Sequence, residues 1–118
     1  MAEAPVIPNS VISMYETFTS CSNLKTPPVL PSNLQRLESV FWGAGIETAP
    51  VIPASVTNMD RAFVSCKKLT GTVRIHANPT SYTNAFGGTV LPITLVGNSS
   101  KLAEIAATGD NGNVSVQY

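Results

Sequence analysis

Apolar residues recur along this chain in a pattern that starts again every 22 or 23 residues. Phe18, Phe41, Phe63 and Phe86 fall 23, 22 and 23 residues apart, and aligning the chain on them leaves four apolar columns. Met14, Leu37, Met59 and Tyr82 stand four residues before the phenylalanine; Val11, Leu34, Val56 and then Pro79 stand seven before; Ile7, Leu30, Ile52 and Ile75 stand eleven before. Leu24, Ile46 and Leu69 follow it. A fixed period of this length marks stacked supersecondary units that bury their faces only against each other. The expected architecture is an α/β repeat solenoid with short parallel strands. It has about four rungs over residues 4–26, 27–48, 49–71 and 72–92 and a C-terminal cap over 93–118, in a single domain spanning 1–118.

Apolar positions at minus seven, minus four and zero share one helix face, so each unit is expected to carry a short helix or helical turn ending near its phenylalanine. Asn9-Ser10, Ser32-Asn33 and Ala54-Ser55 offer side-chain acceptors where that helix would start. Strands are expected around 28–31, 50–53 and, most clearly, 72–77. Proline cannot donate to a ladder, so the Pro-Val-Leu-Pro and Pro-Val-Ile-Pro pieces predict few ladder bonds. Val73-Arg74-Ile75-His76 has β-branched, alternating residues instead, and sheet order should improve toward the C-terminal half. After Leu91-Pro92 the period is lost. Residues 93–96 read as a strand, 99–108 as a helix with Leu102, Ile105 and Ala106 on one face and Ser99 or Ser100 as its cap, and 113–118 as a strand beyond a turn bracketed by Gly109 and Gly112. Together they predict a β-α-β cap.

The run Ile52-Pro53-x-Ser55-Val56-x-x-Met59-x-x-x-Phe63-x-x-Cys66-x-x-Leu69, closely repeated from Ile7 to Leu24, resembles the BspA-like (Treponema-type) leucine-rich repeat of bacterial and protist surface proteins. The resemblance covers roughly residues 4–92. It implies a leucine-rich-repeat-like right-handed superhelix with a parallel sheet on one side, and adhesion or ligand binding rather than catalysis. The second unit departs from the pattern, with Ala44 in the cysteine column and one residue fewer after Phe41; the fourth has Phe86-Gly87-Gly88 and no cysteine. That column needs only a small buried group, so the expected fold is unchanged.

Only Met1-Ala2-Glu3 precede the first repeat. Its Val6, Ile7, Val11 and Met14 are therefore expected to be covered by a neighbour, by another copy of the chain, or by a preceding part of a longer one. Seven basic and seven acidic residues cancel, and charged residues make up only 12%. No basic stripe is available for phosphates, which disfavours nucleic acid as a partner. No stretch approaches the ~18 apolar residues of a membrane span, and the opening MAEAPVIPNS lacks the charged and apolar regions of a signal peptide. A location at a cell surface, outside the cell or on a virion would be reached by another route or after removal of a signal.

Cys21 and Cys66 share a column two periods apart. At roughly 5 Å per rung their Cα atoms would stand about 10 Å apart, beyond the ~7 Å reach of a disulfide, and they are expected as free, buried thiols. Two distant sulfurs and His76, the only histidine, make neither a metal site nor a Cys-His pair, so no catalytic residue, metal or cofactor is assigned. Glu38 and Asp60 share the column three before the phenylalanine, between Tyr15 and Thr83, with Glu16, Ser39, Arg61 and Asn84 in the next outward column. Carboxylates on adjacent rungs can hydrolyse glycosides, but Arg36 and Arg61 beside them favour a solvated ion-pair cluster. Trp42 stands where other units have Thr19, Val64 and Gly87, so the repeat does not demand it. Either it fills space opened by Gly43, Ala44, Gly45 and the missing residue, or it is partly exposed and marks a binding surface. The glycine pairs lack phosphate-loop spacing and read as turns.

The candidate binding residues are Trp42, Tyr15, Glu38, Asp60 and Arg61. The expected function is non-enzymatic binding of a protein or glycan by an adhesion or recognition module of bacterial or phage surface origin. The alternative is a structural or assembly component of a virion or surface layer that oligomerises through its N-terminal rung.

Overall fold

The computed structural model describes residues 6–97, 100–109 and 112–117. Among them are strands β1 (Ser13–Tyr15), β2 (Arg36–Glu38), β3 (Gly71–Arg74), β4 (Ile93–Val96) and β5 (Val114–Gln117), with helix α1 (Leu102–Ala106) between the last two. They form two small parallel sheets in an α/β-type fold. β1 pairs with β2 from Ser13↔Arg36 to Tyr15↔Glu38. The second sheet runs β3-β4-β5, starting at Gly71↔Ile93 and Ile93↔Val114. Single bridges extend both: Arg36↔Asn58 and Asn58↔Ser81 continue the first, Ile52↔Ile75 the second.

The four phenylalanines form one buried stack. Successive ring centroids stand 5.7, 5.6 and 5.1 Å apart, with planes inclined by only 9°, 6° and 13°. Aromatic pairs at this spacing contribute ~0.5–1.5 kcal/mol each beyond the area they bury. Their backbones join as well: the N–H of Phe18 donates to Val40 C=O at 2.9 Å, that of Phe41 to Ala62 at 3.0 Å, and that of Phe63 to Ala85 at 2.8 Å. The Phe86 N–H instead reaches the Thr108 hydroxyl at 3.0 Å, so the residue just past α1 closes the column. Leu24, Leu37, Ile46, Ile52, Met59 and Leu69 fill the remaining core.

No helix ends at these phenylalanines, contrary to the sequence spacing. Met14 and Leu37 point inward from strands, and the chain then turns in three-residue steps: Cys21 N–H donates to Phe18 C=O and Leu24 N–H to Cys21 C=O, as Cys66 does to Phe63 and Leu69 to Cys66. Residues three apart therefore face the core together, a period close enough to 3.6 to imitate one helix face over so short a run. What prevents a helix is the backbone two residues to either side of each phenylalanine. Glu16, Ser39, Arg61 and Asn84 before it, and Ser20, Gly43, Ser65 and Gly88 after it, all adopt left-handed φ between 50° and 73°. The pairs expected to cap helices sit in tight turns, with Val11, Leu34 and Val56 N–H donating to Pro8, Pro31 and Pro53 C=O.

The proline segments carry few ladder bonds, as their sequence implies, and fall short of full strands. Residues 28–31 form no strand, and in 50–53 only Ile52 bridges to a neighbour. The C-terminal part follows the pattern read from sequence: β4 and β5 are parallel, as a helical crossover requires, and Leu102, Ile105 and Ala106 of α1 are buried. The α1 N-cap is Lys101, without a side-chain cap bond, rather than Ser100. Ser99, Met1–Glu3 and Tyr118 lie outside the described residues. Among the described residues no helix is long and apolar enough to cross a membrane.

Candidate functional site

Trp42, Val64 and Gly87 occupy one column, just after their phenylalanines, and shrink from a large aromatic to no side chain at all. That decline opens a cavity of about 240 Å³ lined by all three. Arg61 and Asn84, two residues before the phenylalanine, form one side, and Ser65 and Gly88, two after it, form the other. Both sides carry left-handed residues, so the turn geometry that ends each strand also brings these side chains to the cavity. Trp42 is 40% exposed. Backbone packs closely beside it at Gly45, where a Cβ would stand 2.1 Å from the Ser22 carbonyl oxygen.

Two of the residues singled out by sequence, Trp42 and Arg61, thus line the same cavity. Tyr15, Glu38 and Asp60 do not line it and stand in the adjacent column. Tyr15 on β1 is exposed and in register with Glu38 on β2. Its hydrogen bond to Glu16, then the Glu16 and Glu38 charges, raise its pKa above the usual 10.0, while Arg61 opposes them. Glu38 Oε1 pairs with Arg36 Nε at 2.8 Å. Asp60 makes no ion pair among the described residues; its Oδ1 accepts the Ser81 hydroxyl at 2.5 Å and the Thr83 N–H at 2.8 Å, tying one segment to the next.

Comparison with family models, with curated proteins and with solved structures finds no match to this chain. The chemistry of the site is therefore what its own residues offer. Trp42 brings an aromatic ring, Arg61 a guanidinium, and Asn84 and Ser65 an amide and a hydroxyl, while Gly87 and Gly88 add no side chain. Among the described residues no group of three or more histidine, cysteine or acidic side chains could hold a metal ion. Cys21 and Cys66 are free thiols, and burial pushes the Cys66 pKa up to about 12, with a hydrogen bond from the Ala44 backbone opposing it. A thiol so protonated is no nucleophile.

A second concave surface lies between the proline segments. Pro27, Pro28, Val29, Pro50, Val51 and Pro53 are among the residues lining an apolar groove of about 490 Å³, with His76 also in its lining. Val29 is 87% exposed there. Sequence reasoning did not foresee this groove, although the prolines that create it were noted. Nor did it join Val64, Asn84 and Gly87 to Trp42; the column alignment held that signal, since Gly87 shares Trp42's column and Asn84 shares Arg61's.

Proposed function

We propose that this chain is a non-enzymatic recognition module that binds through the Trp42–Arg61 cavity. The observation that carries the reading is that an exposed tryptophan and an exposed arginine line one cavity. Aromatic and arginine side chains dominate recognition surfaces because they offer large contact area and directional donors together. The architecture we favour for it is a single-domain, right-handed repeat solenoid resembling BspA-like leucine-rich repeats. The phenylalanine stack and the backbone bonds between residues 21 to 24 apart support it. Such a module belongs at a cell or virion surface, where it meets a protein or glycan. A screen of surface proteins and glycans with the wild type and Trp42→Ala tests this: the variant should keep its circular dichroism and lose the partner. A partner bound equally by both would refute it.

A structural or assembly role is the second reading. Ile12 and Tyr15 are exposed beside and on β1, and Val6 is 95% exposed, which favours contact with another subunit along that strand. Light scattering of the purified chain decides it, since a monomer at high concentration removes the reading.

A further inference from the structure

The Trp42 cavity, at about 240 Å³, falls below the ~300–1,000 Å³ of sites that enclose a drug-sized ligand. It therefore takes one ring-sized group and leaves the rest of its ligand in solvent. Its lining is divided by chemistry: Trp42 and Val64 give apolar surface, while Arg61, Ser65 and Asn84 give polar groups. A sugar ring is divided in the same way, with a carbon face and a polar rim.

The charges narrow the choice further. The carboxylates of the adjacent column already have partners: Glu38 pairs with Arg36, and Asp60 accepts from Ser81 and Thr83. Arg61 is in no ion pair among the described residues. A guanidinium in that state offers its planar fork of donors to an incoming carboxylate.

We infer that the cavity binds one acidic monosaccharide unit of a glycan, its carbon face on Trp42 and its carboxylate on Arg61. The inference rests on the recognition role proposed above and specifies its ligand. Asn84 and Ser65 meet the ring hydroxyls, and the absent side chain at Gly87 makes room for the ring.

Trp42 is the only tryptophan in the chain, so its fluorescence reports occupancy directly. The experiment titrates the protein with matched acidic and neutral oligosaccharides, sialyllactose against lactose and oligogalacturonate against oligogalactose, with sodium acetate as anion control. The acidic member of a pair should bind about tenfold tighter, the contribution of one charge-assisted pair at an exposed site. Arg61→Gln should erase that difference. Gly87→Val, whose added Cβ would stand 3.4 Å from Asn84 Cβ, should block both members while circular dichroism stays unchanged. Neutral sugars bound as tightly as acidic ones, or an equal response to acetate, would overturn the inference and leave the recognition role standing. Silence toward every sugar, with a screened partner that still needs Trp42, would do the same. Silence toward sugars and no Trp42-dependent partner of any kind would remove both.

Discussion

The same stretch of the pattern is laddered at one end of the molecule and open at the other. In β3, β4 and β5 the residues Gly71–Arg74, Ile93–Val96 and Val114–Gln117 pair along their length. The segments equivalent to β3, at 26–29 and 48–51, exchange no backbone hydrogen bond with each other among the described residues, and an apolar groove lies between them. Yet Leu30 and Ile52 are as much part of the core as Val73 and Leu95. Proline removes the donor without removing the apolar side chain. The comparison separates two sources of order: side-chain columns and the hydrogen bonds around β1 and β2 serve the N-terminal units, whereas a ladder at this second stretch reinforces only the C-terminal ones.

If the columns are common to both regions, breaking one should cost most. Phe41 is stacked on both faces, at 5.7 and 5.6 Å, so Phe41→Ala should destabilise by about 3–5 kcal/mol. Urea unfolding measures it, and a loss below about 1 kcal/mol would mean the stack is incidental. Exchanging the proline between regions comes next. Val73→Pro replaces a buried valine on β3 and removes a backbone donor from the β3–β4 ladder, for about 3 kcal/mol. Pro50→Val restores a donor and should cost no more than about 1 kcal/mol, through the freer unfolded chain. Equal costs for the two exchanges would mean that the two regions do not differ in their need for the donor.

Cys21 and Cys66 sharpen the comparison, since they share a column in different units. Cys66 is fully buried, and its thiol donates to Phe41 C=O at 2.9 Å; Cys21 is only partly buried. Iodoacetamide at about pH 8 should label Cys21 alone until the protein unfolds. The Cys66 pKa is about 12 when folded against 9.0 for the free group. The folded state therefore holds a proton that the unfolded state gives up. This contribution to stability is complete below about pH 9 and is lost as pH rises from there toward 12. Unfolding midpoints measured across that window, in wild type and Cys66→Ala, should diverge less as pH rises.

The columns were legible in the sequence because each unit places the same residue types against the same neighbours. The C-terminal β-α-β order was legible because its periodicity changes visibly from alternating to helical and back. What misled was the segment around each phenylalanine, where three-residue turns and a helix differ too little over eight positions to be told apart. Left-handed residues such as Glu16 and Arg61 gave no warning, since neither type favours that conformation. The site was half visible. Trp42 and Arg61 declare themselves by chemistry, but a cavity depends on what is missing, and Gly87 and Val64 had to be read against Trp42 across two periods. The ionic cluster forms in part: Glu38 pairs with Arg36 as the spacing suggests, while Asp60 turns toward Ser81 and Thr83 rather than toward an arginine.

Those left-handed positions supply the gentlest test. The column two residues after the phenylalanine holds Ser20, Gly43, Ser65 and Gly88, at φ of 61°, 70°, 59° and 73°. If the turn is the same in every unit, serine there bears a conformational cost of about 1–2 kcal/mol that glycine avoids. Glycine returns about 0.5–1 kcal/mol of that through its freer unfolded chain. Ser20→Gly should therefore stabilise by about 0.5 kcal/mol, a small upward shift in Tm. Gly88→Ala runs the other way and more steeply, because its Cβ would also stand 3.0 Å from the Ser65 hydroxyl oxygen and 3.2 Å from its amide nitrogen. At Gly43 the nearest atom would be 3.8 Å away, so Gly43→Ala should bear the backbone cost alone. The order Ser20→Gly, wild type, Gly43→Ala, Gly88→Ala in falling Tm would mean that one backbone turn serves the proline-rich and the laddered units alike; any inversion would mean that the two regions turn their corners differently.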